Sequence, residues 1–233
     1  MKKYKNIVFD LGEVLFCYRW KEMLMDYGLS EEEAIIMERE IFENPDRLWD
    51  MYDLGNVSEE ELLQLFSNLY PAHTDAFRWF LDHPELLHVP RPKIWKLVHD
   101  LKERGYGIYI LSNYPIRFFK RHTEYADFMK DLDGAMVSHM IHKMKPDKAI
   151  YEALCNSYEL KKEECLFFDD RKINIEASIA FGMDAIQVIT EAQFIEELQK
   201  LLGKDQGEQT EYSVKSDRWE ERRQKGKTGD KYV

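Results

Sequence analysis

The sequence predicts an α/β protein built on a doubly wound parallel sheet, with a helical domain inserted after the first strand. Two observations support this fold class. Short apolar runs that end in turn-forming or acidic residues alternate with helical stretches along most of the chain. The alternation is interrupted once, directly after the first run, by a long block with helical periodicity. Strands that alternate with helices pair in parallel, so helices should cover both faces of the sheet.

Four apolar runs are the predicted strands, and four amphipathic stretches are the predicted helices around them. The first run follows three lysines and imitates a secretion signal, but Asp10 and Glu13 interrupt it, which favours a retained strand. The predicted strands cover residues 7–9, 108–111, 166–168 and 185–189. The predicted helices cover residues 92–104, 147–158, 172–181 and 191–202.

The block between the first and second runs has the pattern of several helices. Ser30 with Glu33, and Ser58 with Glu61, match the capping box, in which serine and glutamate satisfy backbone N–H groups reciprocally. Apolar residues recur at helical spacing after each serine. We therefore predict three regions: a catalytic core of residues 1–15 and 89–202, a helical cap of residues 16–88, and a disordered charged tail of residues 203–233.

Charge is distributed unevenly along the chain. The net charge of −11 and the pI of about 5.2 argue against nucleic acid or an anionic membrane as a partner, because either would meet a like-signed surface. The predicted cap has five Lys or Arg against 17 Asp or Glu, a net −12, whereas the predicted core sums to zero. An acidic cap should favour substrates with one phosphate and a neutral or cationic remainder.

Composition also indicates the cellular setting. No apolar run approaches the roughly 18 residues needed to cross a bilayer, so we expect a soluble protein with no membrane partner. Three cysteines without a Cys-x-x-Cys pair fit a reducing compartment, and we expect a cytoplasmic protein. No pattern indicates the oligomeric state.

Polar side chains follow the predicted strands at their carboxyl ends, where the reactive groups of an open α/β sheet gather. They are Asp10, Ser112, Asn113, Asp169 and Asp170. Three carboxylates at adjacent strand ends repel one another unless a hard cation lies between them, and a small set of oxygen ligands suits Mg²⁺. The sequence therefore predicts a magnesium site at this edge of the sheet.

A lysine completes this set of polar groups. Lys145 precedes Pro146, which we expect at about the first position of a helix, so that the lysine lies at the positive helix end. With Ser112 and Asn113 it offers hydrogen-bond donors and positive charge to phosphate oxygens, as the stabilisation of phosphoryl transfer requires. The pattern favours phosphoryl-transfer chemistry.

The order of these groups resembles the four motifs of the haloacid dehalogenase superfamily, in its phosphatase branch with a small helical cap. The matching motifs, over about residues 4–190, are Asp10-x-Gly-x-Val-Leu, Leu-Ser112-Asn113, Lys145-Pro, and Phe-Phe-Asp169-Asp170 with Asn174-Ile-Glu-Ala-Ser. The resemblance implies a Rossmann-like core, catalytic roles for Asp10 and Lys145, and phosphate binding by Ser112, Asn113 and Lys145.

The same resemblance implies an aspartyl-phosphate intermediate at Asp10 and a bound Mg²⁺. The metal ligands would be Asp10, the backbone carbonyl of Gly12 and the acidic pair. Within that pair, Asp170 is expected to be the direct ligand, and Asp169 to lie in the outer shell or to act through water.

Gly12 departs from the family pattern. Phosphatases of the family usually carry Asp two residues after the nucleophile, where it protonates the leaving oxygen, and such help is worth about 10²–10⁴ in rate. Glu13 is the weaker candidate to replace it. We expect instead a leaving group that needs little protonation, as in an anomeric sugar phosphate, an aryl phosphate or an acyl phosphate. Sugar-phosphate phosphatases with an Asp-Leu-Gly motif are similar, which supports a sugar phosphate.

The sequence thus predicts an Mg²⁺-dependent phosphomonoesterase that acts on a small phosphorylated metabolite and has no nucleic-acid partner. One alternative is a metal-binding scaffold without turnover, which the absent acid and the charged tail motivate. A phosphomutase is less favoured because no second acid–base group is visible. A 2-haloacid dehalogenase is less favoured because the pair Asp169 and Asp170 would repel a substrate carboxylate.

Overall fold

The computed structural model describes residues 3–203. The chain divides into two compact units, Met1–Val188 and Ile189–Val233. Within the described residues, the second unit contains the helix Glu191–Leu201. Apart from residue 203, the predicted tail lies outside the described residues.

Strands and helices alternate along residues 3–203. The strands are β1 (Asn6–Phe9), β2 (Phe16–Tyr18), β3 (His88–Pro90), β4 (Gly107–Ser112), β5 (Gly134–Val137), β6 (Cys165–Asp169) and β7 (Asp184–Gln187). The α-helices are α1 (Trp20–Tyr27), α2 (Glu31–Phe42), α3 (Leu48–Asp53), α4 (Glu59–Leu69), α5 (Thr74–Asp82), α6 (Pro92–Glu103), α7 (Ile116–Thr123), α8 (Ser138–Ile141), α9 (Lys148–Ser157), α10 (Lys172–Phe181) and α11 (Glu191–Leu201). Short 3₁₀ helices are Pro71–His73, Pro84–Leu86, Asp127–Asp131 and Lys162–Glu164.

A parallel five-stranded sheet lies in the first unit, in the order β5–β4–β1–β6–β7. β1 is the middle strand, and its Phe9 lies opposite Ile110 of β4 and Phe168 of β6. Helices separate the strands of this sheet along the chain, as parallel pairing requires. The predicted parallel sheet with flanking helices is confirmed.

Both faces of this sheet are buried. On β4, Tyr109 and Leu111 belong to a core cluster with Leu154 of α9, whereas Ile108 and Ile110 point to the opposite face and are also buried. A strand that is covered on both faces needs a continuous apolar run, which is why β1, β4 and β6 are recognisable in the sequence.

Three strands are absent from the sequence prediction. β5 lies at the edge of the sheet, where its first two residues are only partly buried. β2 and β3 pair with each other as an antiparallel ribbon, with Tyr18 opposite His88. These strands are three or four residues long and form through partners distant in sequence, so they leave little local periodicity.

The segment between β2 and β3 contains α1–α5. Both predicted capping boxes form: the side chain of Ser30 accepts a hydrogen bond from the Glu33 N–H, and that of Ser58 accepts one from the Glu61 N–H. The chain enters and leaves the segment through the β2–β3 ribbon. The assignment of residues 16–88 to a separate cap remains a prediction.

The helix after Lys145 begins one residue later than predicted. Asp147 is its N-cap, and the Asp147 side chain accepts a hydrogen bond from the Ala149 N–H at 2.9 Å. An aspartate at this position satisfies a backbone donor of the first turn, so the helix starts at Lys148. Pro146 therefore lies before the helix, and Lys145 is not part of its first turn.

Two observations bear on the cellular setting. No helix in the described range 3–203 is long and apolar enough to cross a membrane. No disulfide joins the three cysteines, Cys17, Cys155 and Cys165.

Candidate active site

Asp10 directly follows the middle strand of the sheet and is 8% exposed. Three donors converge on one of its oxygens, Oδ1: the Ser112 hydroxyl at 2.6 Å, the Leu11 N–H at 2.8 Å and the Lys145 Nζ at 3.0 Å. No donor within residues 3–203 contacts Oδ2. The carboxylate is therefore held through one oxygen, and the other oxygen remains available for chemistry.

Lys145 lies between two carboxylates and is 2% exposed. Its Nζ is 2.6 Å from Asp169 Oδ2 and 3.0 Å from Asp10 Oδ1. Burial alone would lower the pKa of this lysine, but the charges of the two aspartates outweigh burial and raise the pKa. The ammonium group is thus held charged beside the carboxylate that is the proposed nucleophile.

Asn113 holds the backbone of Lys145 in place. Its side-chain Nδ2 donates to the Lys145 carbonyl at 2.9 Å, and its Oδ1 accepts from the Lys145 N–H at 2.8 Å. This paired bond joins the end of β4 to the loop before α9. The Asn113 side chain therefore positions the lysine, and a phosphate-binding role for Asn113 remains a prediction.

The acidic pair after β6 has two different environments. Asp169 is fully buried and accepts hydrogen bonds from Lys145 Nζ, from the Arg171 N–H at 2.8 Å and from Asn174 Nδ2 at 3.0 Å. The Asp170 carboxylate has no hydrogen-bond partner within the described chain. Asp170 is thus the member of the pair that is available to a further ligand.

Oxygens of three carboxylates, Asp10, Asp169 and Asp170, lie within 4.8 Å of one another. Burial, together with the neighbouring carboxylates, raises the pKa of Asp10 to about 6 and that of Asp170 to about 7, although Lys145 opposes both shifts. One lysine does not neutralise three carboxylates, so the cluster has excess negative charge.

These residues fit a hard divalent cation. The donors are carboxylate oxygens, which Mg²⁺ prefers. The buried Oδ1 of Asn174 has no hydrogen-bond partner in residues 3–203, and this residue lines the same cavity as Asp10 and Asp170. Unpartnered oxygens and excess negative charge together are what a cation site requires.

Gly12 lies against the ring of Tyr18. A Cβ at position 12 would be 2.7 Å from both the Tyr18 Cε2 and its hydroxyl oxygen. The space that the family's second aspartate would need is therefore filled. The Glu13 carboxylate accepts a hydrogen bond from the Tyr18 N–H at 3.1 Å, so it too is turned toward β2.

A hydrogen-bonded chain continues inward from the Tyr18 hydroxyl. This hydroxyl contacts that of Tyr114 at 2.6 Å, Tyr114 contacts His122 Nδ1 at 2.6 Å, and His122 Nε2 contacts the Pro84 carbonyl at 2.7 Å. A carbonyl only accepts, so Nε2 carries the hydrogen and Nδ1 accepts from Tyr114. Burial lowers the pKa of His122 to about 3, so its ring is neutral. Tyr18 consequently donates its proton to Tyr114.

A cavity of about 260 Å³ opens above the carboxylates. Its polar end includes Asp10, Asn113, Lys145 and Asp170. Its apolar wall is formed by Trp20, Phe42, Trp49, Leu87, Pro115 and Phe118. The volume is just below the range of about 300–1,000 Å³ that is usual for drug-sized ligands, so the cavity suits a small substrate.

An acidic side chain in this cavity is absent from the site residues that the sequence predicts. Asp53, at the end of α3, lines the cavity and is 7% exposed, and its Oδ1 has no partner in residues 3–203. The available signal is its helical spacing: Asp53 is four residues after Trp49, an aromatic residue of the same helix that lines the same cavity. An acidic residue on the apolar side of a helix is unusual.

A family model for haloacid dehalogenase-like hydrolases matches residues 4–182. The chain belongs to the haloacid dehalogenase-like hydrolases. The predicted superfamily and the prediction of a hydrolase are thereby confirmed. The motif residues that carried the resemblance lie within the matched range, and their individual roles remain predictions.

Two phosphatases are similar to this chain, one over nearly its whole length and one over less than half of it. The sesquiterpene phosphatase astK of Aspergillus oryzae is 24% identical over 201 residues, which is 86% of this chain and 97% of that protein. The enolase-phosphatase E1 of Shewanella frigidimarina is 30% identical over 95 residues, 40% of this chain and 41% of that protein.

Solved structures share the fold. A haloacid dehalogenase family enzyme from Bacteroides thetaiotaomicron, in complex with magnesium and inorganic phosphate, aligns with a TM-score of 0.66 at 17% identity. The alignment covers 81% of this chain and 96% of that one. A phosphatase of the family from Thermococcus onnurineus aligns with a TM-score of 0.61, also at 17% identity, over 85% of this chain and 98% of that one.

Proposed function

We propose that this chain is an Mg²⁺-dependent phosphomonoesterase in which Asp10 is the nucleophile. The supporting observation is the asymmetry of its carboxylate: three donors hold Oδ1, and Oδ2 has no partner in the described residues. Such an arrangement orients one oxygen for in-line attack on phosphorus.

The reaction would proceed in two steps. Asp10 Oδ2 attacks phosphorus and forms an aspartyl phosphate as the alcohol leaves, and water then hydrolyses this acyl phosphate. Lys145 and the Ser112 hydroxyl lie beside Asp10 and would stabilise the oxygens of the transferring group. Asn113 keeps Lys145 in position through its backbone.

The carboxylate cluster is the proposed metal site. Asp10, Asp170 and the Gly12 carbonyl would hold Mg²⁺, whereas Asp169 is already engaged by Lys145 and would act from the outer shell. When bound, the ion supplies positive charge to the phosphoryl group and offsets the repulsion within the cluster. Ligation by Asp170 is favoured because its carboxylate has no partner in residues 3–203.

The wall of the cavity favours an apolar alcohol as the leaving group. Trp20, Phe42, Trp49 and Phe118 present aromatic surface, which suits an aryl or isoprenoid group better than a sugar with many hydroxyls to satisfy. The similarity to a protein named as a sesquiterpene phosphatase supports the same choice. We therefore propose a phosphate monoester of a small apolar alcohol, with a sugar phosphate as the competing candidate.

Phosphate release from a panel of esters tests the proposed function. With Mg²⁺, geranyl phosphate and benzyl phosphate should be hydrolysed faster than glucose 1-phosphate. Asp10→Asn should lower the rate at least about 1,000-fold, because the amide is a poor nucleophile. Chelation of the metal with EDTA should have a comparable effect. The exposed Asp46 offers a matched control, since Asp46→Asn should leave the rate unchanged.

Acid-quenched enzyme should retain a phosphoryl group that hydroxylamine removes, and Asp10→Asn should retain none. Failure of the wild-type protein to release phosphate from any ester would instead support a scaffold without turnover. Full activity of Asp10→Asn would show that Asp10 is not the nucleophile.

A further inference from the structure

We propose that Asp53 of α3 is the proton donor to the leaving oxygen, in the role for which Gly12 has no side chain. The inference rests on the proposed function. It assigns a catalytic role to the helical segment between β2 and β3, and it names a residue outside the four sequence motifs.

The backbone of Asp53 is attached to the end of the sheet near the site. The Ser138 hydroxyl donates to the Asp53 carbonyl and accepts from the Tyr114 N–H at 2.9 Å. His142 Nδ1 bonds the next carbonyl, that of Leu54, at 2.8 Å. Tyr114 is two residues after Ser112, whose hydroxyl contacts the nucleophile. These bonds hold the end of α3 beside the strand end that carries the phosphate-binding residues.

The carboxyl group of Asp53 is buried at the cavity and, within residues 3–203, has an unsatisfied hydrogen-bonding oxygen. It lines the same cavity as Asp10 and Lys145. Its Oδ1 is buried and unpartnered within the part of the chain that the structure describes. A buried polar atom without a partner is costly, and a substrate oxygen in this cavity would satisfy it.

The surroundings of Asp53 favour its protonated form. The ionisable groups around it are Asp50 and Tyr52 on its own helix, and Asp10, Tyr114, Lys145 and Arg171 from the sheet side. Burial, followed by the charges of Asp50 and Asp10, raises its pKa well above the ordinary value, although Arg171 and Lys145 oppose the shift. A raised pKa favours the neutral carboxylic acid, which is the form that can donate a proton.

Two other groups near Gly12 are less suitable donors. The Tyr18 proton is already donated to Tyr114, in a chain that ends at the Pro84 carbonyl. The Glu13 carboxylate accepts from the Tyr18 N–H. Asp53 lines the cavity and combines burial with an oxygen that is unpartnered in the described chain, and unlike Asp10 it is not the proposed nucleophile.

Asp53 loses a proton in the first step and regains it in the second. In the first, the bond between phosphorus and the leaving oxygen breaks, its electron pair stays on that oxygen, and the oxygen takes the proton of Asp53. In the second, water attacks the phosphorus of the aspartyl phosphate and gives a proton to the Asp53 carboxylate. The bond to Asp10 breaks, and phosphate leaves with both side chains in their starting states.

A comparison of leaving groups tests this role. Near neutral pH, 4-nitrophenolate leaves without a proton, whereas benzyl alcohol requires one. Asp53→Asn should therefore lower kcat/KM for benzyl phosphate by about 10²–10⁴-fold and lower that for 4-nitrophenyl phosphate by less than about tenfold. Asp53→Ala should show the same contrast, and the exposed control Asp46→Asn should change neither value.

The activity toward 4-nitrophenyl phosphate shows that each variant is folded. An equal loss for both esters, or full activity of Asp53→Asn toward benzyl phosphate, would overturn the role of Asp53 and leave the proposed function intact. If the wild type hydrolyses neither ester, or if Asp10→Asn still hydrolyses them, the proposed function fails and this inference fails with it.

Discussion

The ring of Tyr18 fills the space that a side chain at position 12 would need. Its Cε2 and hydroxyl oxygen would each be 2.7 Å from a Cβ there, well inside van der Waals contact. The ring is fixed because its hydroxyl is bonded to Tyr114. At the scale of single residues, the glycine and the tyrosine therefore form a matched pair, and a proton donor has to come from elsewhere in the cavity.

This pairing predicts a coupling between two substitutions. Gly12→Ala should lower the free energy of unfolding by about 1–3 kcal/mol, because the methyl group overlaps the tyrosine ring. In a Tyr18→Ala background the same change should cost at least about 1 kcal/mol less. Urea unfolding of the two single variants and the double variant measures the coupling, and additive effects would show that the ring does not exclude a side chain.

At the scale of elements, one hydrogen-bonded chain links β2, α7 and the 3₁₀ helix Pro84–Leu86. It runs from Tyr18 through Tyr114 to His122 and ends on the Pro84 carbonyl. The first and last members lie before and after the helices α1–α5 in the sequence, so the hydrogen-bonded chain connects both ends of this helical segment to the loop after β4 and to α7. The connection depends on a neutral histidine, since a protonated ring has no acceptor for Tyr114.

The neutral state of His122 predicts a pH dependence of stability. The pKa in the folded protein is about 3, below the ordinary value of 6.5, so between these values the unfolded chain binds more protons. The free energy of unfolding therefore falls as the pH is lowered through this range. At pH 5 the loss relative to pH 7 is about 2 kcal/mol from this group.

His122→Gln tests this, since glutamine retains a donor and an acceptor but does not titrate. In guanidinium titrations, the difference in unfolding free energy between pH 7 and pH 5 should shrink by about 2 kcal/mol. Burial also lowers the pKa of the nearby His88. This residue is present in both proteins, so its contribution to the pH dependence cancels in the comparison. An unaltered difference would show that His122 is already protonated in the folded state at pH 5.

At the scale of the whole molecule, the negative charge is concentrated in one part of the sequence. Residues 16–88 have a net charge of −12, and they include Trp20, Phe42, Trp49 and Asp53 of the cavity. The polar end of the cavity comes from strand ends and their loops, where Lys145 is paired with carboxylates. The cavity is therefore lined in part by residues of an acidic segment and in part by the residues of the proposed cation site.

This distribution predicts a preference among phosphate esters. Esters with one phosphate and a neutral remainder should have higher kcat/KM than bisphosphates of the same alcohol, because the second phosphate meets like charge. The difference should decrease as salt is raised from about 10 to 150 mM, as screening over a Debye length requires. Steady-state kinetics at the two salt concentrations measures it, and bisphosphates that rank first at low salt would contradict it.

The strand ends that carry the candidate site were largely predictable, because short stretches of neighbouring residues indicate them. Ile7, Val8 and Phe9 form an uninterrupted apolar run that ends at Asp10, and the apolar run of β6 ends in the same way at Asp169. Such runs are required where both faces of a strand are covered. The local sequence therefore predicts both the strand and the carboxylate at its end. β5 was missed because its four residues, Gly-Ala-Met-Val, do not form a recognisable apolar run.

The sequence by itself determined the parallel sheet, the order of the four motifs and the presence of carboxylates, serine and lysine at one edge. Each of these follows from neighbouring residues. Only the tertiary structure decided which hydrogen bonds those groups form. Ser112 donates to the carboxylate of Asp10, 102 residues away, and the Asn113 amide donates to the Lys145 carbonyl, 32 residues away. The placing of Asp53 in the cavity and of Tyr18 against Gly12 likewise depends on packing between distant segments, which no local pattern encodes.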